Sequence, residues 1–105
     1  KVEDKAPKKT ITTTPKSDVV YLISDGVHQK IGKTNNVERR IKALQTSNSK
    51  KLELIAVYPD AKYTARLERL LHERYKESRL VGEWFDISLS AEEFMECCKY
   101  ELENW

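Results

Sequence analysis

Hydrophobic positions along this chain follow first a strand period and then a helix period, and the switches between the two mark its elements. Val19-Val20-Tyr21-Leu22-Ile23 is an unbroken apolar run of strand length, rich in β-branched and aromatic residues. Ser24-Asp25-Gly26 follows as a turn of the Asp-Gly kind that joins hairpin strands. A second, shorter strand is expected around His28 to Ile31, ended by Gly32. Asn35 or Asn36 then caps a helix on which Val37, Ile41 and Leu44 lie at i, i+4 and i+7. Arg39 and Arg40 fall off that apolar face and stay available to a ligand.

Gln45 to Lys50 reads as a polar connection, and Lys51 to Tyr58 as a strand. In it Leu52, Leu54 and Ala56 share one face, with Ile55 and Val57 on the other, which predicts a strand covered on both sides. Pro59-Asp60 stops it, and Asp60 is placed to cap a second helix, Ala61 to Ser78, with Leu67, Leu70, Leu71 and Tyr75 as its stripe. Glu68 and His72 are four apart on a different face of that helix. A third helix, Ala91 to Asn104, opens with a Ser90-x-x-Glu93 capping box and docks through Phe94, Cys97 or Cys98, and Leu102.

Length changes this picture little: 105 residues make one domain with a modest core. The stretch before it, residues 1–17, carries lysines, threonines and two prolines and almost no apolar content, so it reads as a flexible basic linker. The chain opens on Lys1 rather than Met, so a piece of a longer or processed protein is expected, with room for an upstream domain. No apolar run approaches the roughly 20 residues that span a bilayer, and no signal peptide is visible. Cys97 and Cys98 are adjacent, which is neither a disulfide framework nor a zinc spacing. Together these place the expectation inside the cell, cytoplasmic or nuclear.

Charge adds more. The net charge is only +2, but seven basic side chains lie between His28 and Lys51 against Glu38 alone. The last sixteen residues reverse the sign, with five glutamates against Lys99. A polyanion is drawn to the first region and repelled by the last.

Tyr21, Lys30-Ile31-Gly32 and Arg40, in that order and spacing, resemble the signature of the GIY-YIG nuclease superfamily. The similarity is greatest to the phage- and virus-associated branch whose second motif reads KIG. Val19-Val20-Tyr21 stands where the family has Gly-Ile-Tyr, and Lys30 stands in place of a tyrosine. Leu67-Glu68 with Leu70-Leu71 and Tyr75 looks like the family helix that supplies a metal-binding glutamate, and Gly82-Glu83-Trp84-Phe85 matches the branch's later motif. The resemblance covers about residues 19–87.

It implies an α+β fold, β-β-α-β-α with a small central antiparallel sheet, to which the C-terminal helix is an addition. It also implies a DNA endonuclease that hydrolyses phosphodiesters with Mg²⁺ or Mn²⁺ as cofactor. Carried over by position, Tyr21, Lys30, Arg40, Glu68 and His72 are catalytic, with Glu68 the metal ligand. Lys33, Thr34, Asn35 and Arg39 contact nucleic acid, DNA or alternatively RNA; Gly32, Gly82, Glu83 and Trp84 are structural. Where other members carry an active-site asparagine near this last motif, the chain offers none.

Taken as residues alone, each of these positions keeps a second meaning. Tyr21 is a good strand residue with its ring in a core, Lys30 a solvated strand lysine, and Thr34 or Asn35 a helix cap. A binding module that holds DNA or RNA without cutting it is therefore the alternative. An interaction domain led by the acidic C-terminal helix is a third reading, resting on charge alone.

Overall fold

A computed structural model of the chain describes residues 18–59 and 61–105. The linker expected over residues 1–17 and the cap expected at Asp60 lie outside the described residues. Seven elements run in the order β1 (Val19–Ser24), β2 (Gln29–Thr34), α1 (Val37–Thr46), β3 (Glu53–Tyr58), α2 (Thr64–Arg74), β4 (Trp84–Phe85) and α3 (Ala91–Glu103). The four strands form one antiparallel sheet in the order β3-β1-β2-β4. The described residues thus form a small α+β domain with three α-helices. None of the described helices is long and apolar enough to cross a membrane.

β1 is central, and its unbroken apolar run has a simple cause: both of its faces are covered. Val20 and Leu22 point to one face, where they pack with Ile31, with Leu67 and Leu71 of α2, with Phe85 of β4, and with Phe94 and Cys98 of α3. Tyr21 and Ile23 point to the other, toward Leu52, Val57 and Trp84 and toward Ile41 and Leu44 of α1. α1 and α2 therefore lie on opposite faces of the sheet. They are held unequally. α2 and α3 each plant fully buried side chains in the core, whereas α1 has none.

The hairpin turn is fixed by Asp25, whose carboxylate accepts from the backbone N–H groups of Val27 (2.9 Å) and His28 (2.7 Å). Gly26 sits at φ +96°, which only glycine adopts freely. α1 begins at Asn36, whose side chain accepts from the Arg39 N–H at 3.0 Å, and α3 begins with both halves of its capping box formed. Gln29 is buried and satisfied at both ends of its amide, donating to the Leu89 carbonyl and accepting from the Leu89 N–H. That pair ties the approach to α3 onto β2.

Several expectations are corrected. Gly32 does not end the second strand, which runs on to Thr34 because Val19 to Tyr21 continue to pair with it. The third strand starts at Glu53, and a bulge shifts its register: Leu22 pairs with Ala56 but Ile23 with Leu54. Ile55 is the extra residue, so strict alternation fails; Ile55 and Ala56 both reach the α2 face while Leu54 is exposed. The expected single helix from Ala61 to Ser78 is a regular helix flanked by two short 3-10 turns. α1 itself extends to Thr46, and the Gln45 side chain organises the connection, donating to the Lys50 carbonyl and accepting from the Leu52 N–H. The fourth strand, β4, was absent from the expected order. Of its two residues Phe85 enters the core, while Trp84 turns to the α1 face.

Candidate active site at the open edge of β2

The shortness of β4 creates the site. Trp84 and Phe85 pair with Lys30 and Gln29, and among the described residues no strand lies alongside the rest of β2. The exposed edge must satisfy its peptide groups otherwise. The Ile31 N–H donates to the Glu83 carbonyl at 3.1 Å. The Ile31 carbonyl accepts from Nε2 of His72 at 2.8 Å. A carbonyl only accepts, so that ring nitrogen carries the proton, and the lone pair of His72 lies on Nδ1. The ring is steadied by Phe85, with centroids 5.0 Å apart.

Gly32 is the next requirement. It pairs with Tyr21 across the hairpin, and the phenol lies over it. A Cβ at this position would meet the Tyr21 hydroxyl at 2.5 Å and the Glu83 carboxylate at 2.7 Å. Only glycine lets both groups occupy the space above the strand. The hydroxyl of the buried Tyr21 and a carboxylate oxygen of Glu83 thus both lie over Gly32. Lys30, also on this side, is buried and pairs with the same carboxylate at 3.3 Å, its ammonium 5.7 Å from the Trp84 ring centre.

Glu68 arrives from α2, on the other face of the sheet, and reaches the group because the edge is open. Ligand atoms of Glu68, His72 and Glu83 all lie within 4.8 Å of one another. Burial, and then the charge of Glu83, hold the Glu68 carboxyl above its ordinary value, a hydrogen bond that protonated Glu68 donates to Glu83 acting in the same sense; His72 and Lys33 pull it the other way. Two carboxyl groups in hydrogen-bond contact require a proton between them, or a cation. Two carboxylate oxygens and one imidazole nitrogen are a donor set suited to a divalent ion, with the imidazole oriented by its second hydrogen bond. The two carboxylates are the oxygen donors that Mg²⁺ and Mn²⁺ take, and the imidazole suits softer divalent metals better.

The Tyr21 phenol is pushed up to about 12, first by burial, then by the charges of Glu83 and Glu68, with Arg40 opposing them. Arg40 is exposed on α1, close enough for its charge to be felt at the phenol. It lines a cleft of about 250 Å³ with Thr34, Asn35, Asn36 and Arg39 at the start of α1. Thr34 there is tied to Asn36, accepting its N–H at 3.1 Å, and Asn35 is exposed. Lys33, the neighbouring residue of β2, points instead to the α2 side, where it pairs with Asp18 at 3.9 Å.

The edge therefore brings together Tyr21, Lys30, Glu68 and His72, with Arg40 beside them. It adds Glu83, which the sequence offered only as part of a structural motif. Gly82, from the same motif, does something else. At φ +60° it turns the chain so that Glu83 and Trp84 enter the sheet. The GEWF run itself was the available signal for Glu83; nothing in it separated a carboxylate in the site from one beside it.

No solved structure matches this chain. A curated relative, described as a putative KilA-N domain-containing protein 315L of invertebrate iridescent virus 6, is 32% identical over 99 residues; the match covers 83% of this chain and 42% of the relative. The chain thus spans less than half the length of that protein. The T5orf172 domain model matches residues 18–101, a stretch that runs from the start of β1 into the end of α3 and takes in every residue gathered at the edge, and on that match the chain belongs to the T5orf172 domain family.

Proposed function

We propose that this domain is a divalent-metal-dependent endonuclease that hydrolyses phosphodiester bonds in DNA, of the GIY-YIG kind. The observation that carries the reading is convergence. A phenol, an ammonium, two carboxylates and an imidazole, drawn from both faces of the sheet, meet at one strand edge that is unpaired among the described residues, with a guanidinium beside them. Glu68, Glu83 and His72 are the residues that would hold Mg²⁺ or Mn²⁺. The ion, when bound, supplies Lewis acidity to the scissile phosphate and to the leaving oxygen.

Tyr21, once ionised to its phenolate, takes the proton of the attacking water. Burial, and after it the charges of Glu83 and Glu68, disfavour the phenolate; neutralising those two charges favours it, and Arg40 acts in the same sense. Lys30, an ammonium held by Glu83 next to the phenol, favours the phenolate by its charge. Arg40 offers planar, paired donors to a phosphate that gains charge as it is attacked. Lys33, Thr34, Asn35 and Arg39 hold the backbone on either side.

One observation favours a second reading, a domain that holds nucleic acid without cutting it. Lys30 occupies the position of the second signature tyrosine and is spent in an ion pair with Glu83. Plasmid incubated with Mg²⁺ or Mn²⁺, and again with chelator, separates the two. Nicking that chelator abolishes supports the enzyme; a mobility shift without nicking supports the binding module. The Glu68→Ala variant is expected to lose metal-dependent cleavage, and full activity in it refutes the metal assignment.

A further inference from the structure

The side of α2 turned away from the core carries a second cleft. Ala65, Glu68, Arg69, His72 and Glu73 fall at i, i+3, i+4, i+7 and i+8, one continuous face of α2, and Lys76 joins them from the 3-10 turn that follows. Opposite it stand Lys33 from the end of β2 and Arg79 from the segment after α2, enclosing about 500 Å³. Four cations line this space. Set against them, Glu68 belongs to the metal donor set, and Glu73 is paired with Lys76 at 2.8 Å in an exposed contact of little energetic weight. Arg69 is exposed and has no ion-pair partner among the described residues. Arg79 spends Nε on the Gly82 carbonyl at 2.7 Å, which fixes the plane of its guanidinium. Arg74, by contrast, turns to Glu101 of α3 and takes no part.

The two clefts meet at consecutive residues of β2, Lys33 in one and Thr34 in the other. Successive strand residues face opposite ways. The clefts therefore open on either side of the strand end, and Glu68 and His72 line the second of them.

We infer that the α2 cleft is a second phosphate-backbone subsite, so that a nucleic-acid strand crosses the open edge of β2 held by Arg39 and the start of α1 on one side and by Lys33, Arg69, Lys76 and Arg79 on the other. This rests on the proposal that the edge acts on nucleic acid, and it adds three cations that the signature did not contain. The contacts are to phosphate, so they are blind to sequence.

The test is equilibrium binding of fluorescein-labelled duplex DNA, and in parallel duplex RNA, in chelator to prevent cleavage, between about 50 and 200 mM salt. Removing two phosphate contacts in R69A/K76A lowers the slope of log affinity against log salt by about 2 and weakens binding roughly 10-fold or more near 0.1 M salt, equally on duplexes of different sequence. The charge-conserving R69K/K76R retains the wild-type slope, which separates charge from folding. If R69A/K76A binds with wild-type affinity and slope while R39A is weakened, the second subsite is overturned and the nuclease reading stands. If the wild-type chain binds neither duplex, both fall. Binding to RNA alone, with the same loss in R69A/K76A, supports the subsite and overturns DNA as the substrate.

Discussion

Replacing Gly32 by alanine is the sharpest perturbation available, because a single methyl group tests both the fold and the site. The added Cβ would stand 2.5 Å from the Tyr21 hydroxyl, 2.7 Å from the ring carbon that bears it and 2.7 Å from the Glu83 carboxylate. Glu83 can swing aside. Tyr21 cannot do so cheaply: its ring is rigid, 1% exposed and packed beside Ile23 and Leu52. Overpacking of this kind costs about 1–3 kcal/mol. Alanine returns roughly 0.4–1 kcal/mol by restricting the unfolded chain. A net loss of about 1–2 kcal/mol lowers the melting temperature of a domain this size by about 5–15 °C.

Thermal unfolding followed by circular dichroism reads that shift. The Tyr21→Phe change in the Gly32→Ala background removes the nearest atom but leaves the ring carbon, so it recovers part of the loss, not all. Cleavage falls further than stability accounts for, since moving a reacting group by about 1 Å costs on the order of 10²-fold. A Gly32→Ala protein that melts within about one degree of wild type refutes the claim that the phenol occupies this space.

Other expectations follow from the same geometry. Arg40→Ala lowers the cleavage rate by at least roughly 10²-fold with the melting temperature unchanged, as the side chain is exposed and makes no core contact; wild-type rates in plasmid nicking remove Arg40 from the mechanism. Glu68 has its carboxyl raised from the ordinary 4.5, chiefly by burial, so its ionised form is disfavoured in the folded state. Stability is therefore lost as pH rises from the ordinary value through the raised one. In chelator Glu68→Gln melts above wild type at neutral pH, the difference closes below pH 4.5, and Mn²⁺ stabilises wild type alone. With the phenol at about 12, cleavage rises with pH through the neutral and alkaline range, and Tyr21→Phe flattens the profile. Ser90→Ala removes the hydroxyl half of the α3 capping box and costs about 1 kcal/mol in denaturant unfolding.

What could be read in the sequence was whatever repeats with a period. The hairpin, the cap of α3 and the i, i+4 pairing of Glu68 with His72 are local consequences of spacing, and the structure contains all of them. What could not be read was decided between distant residues. β4 is two residues long, too short for any alternation to announce it, yet where it stops determines which edge stays open. The bulge at Ile55 follows from pairing with β1, not from the composition of β3. That α1 and α2 take opposite faces, and that Glu68 nevertheless reaches round to the side of Tyr21, depends on the width of the sheet. Glu83 joined the site for the same reason: its role comes from lying across the edge from Gly32, some fifty positions earlier in the chain.

The unequal anchoring of the helices has a bearing on order and timing. α1 carries Arg40 and its cleft, but with no side chain fully out of water it is the element most cheaply detached from the sheet. Its amides should exchange with deuterium well before those of α2, which holds Glu68 and His72 through Leu67 and Leu71. Half of the phosphate grip then belongs to a piece that breathes, and the carboxylate half to one that does not. A polyanion settling into the first cleft would quench that breathing, so slowed exchange confined to α1 would be the earliest mark of an occupied groove.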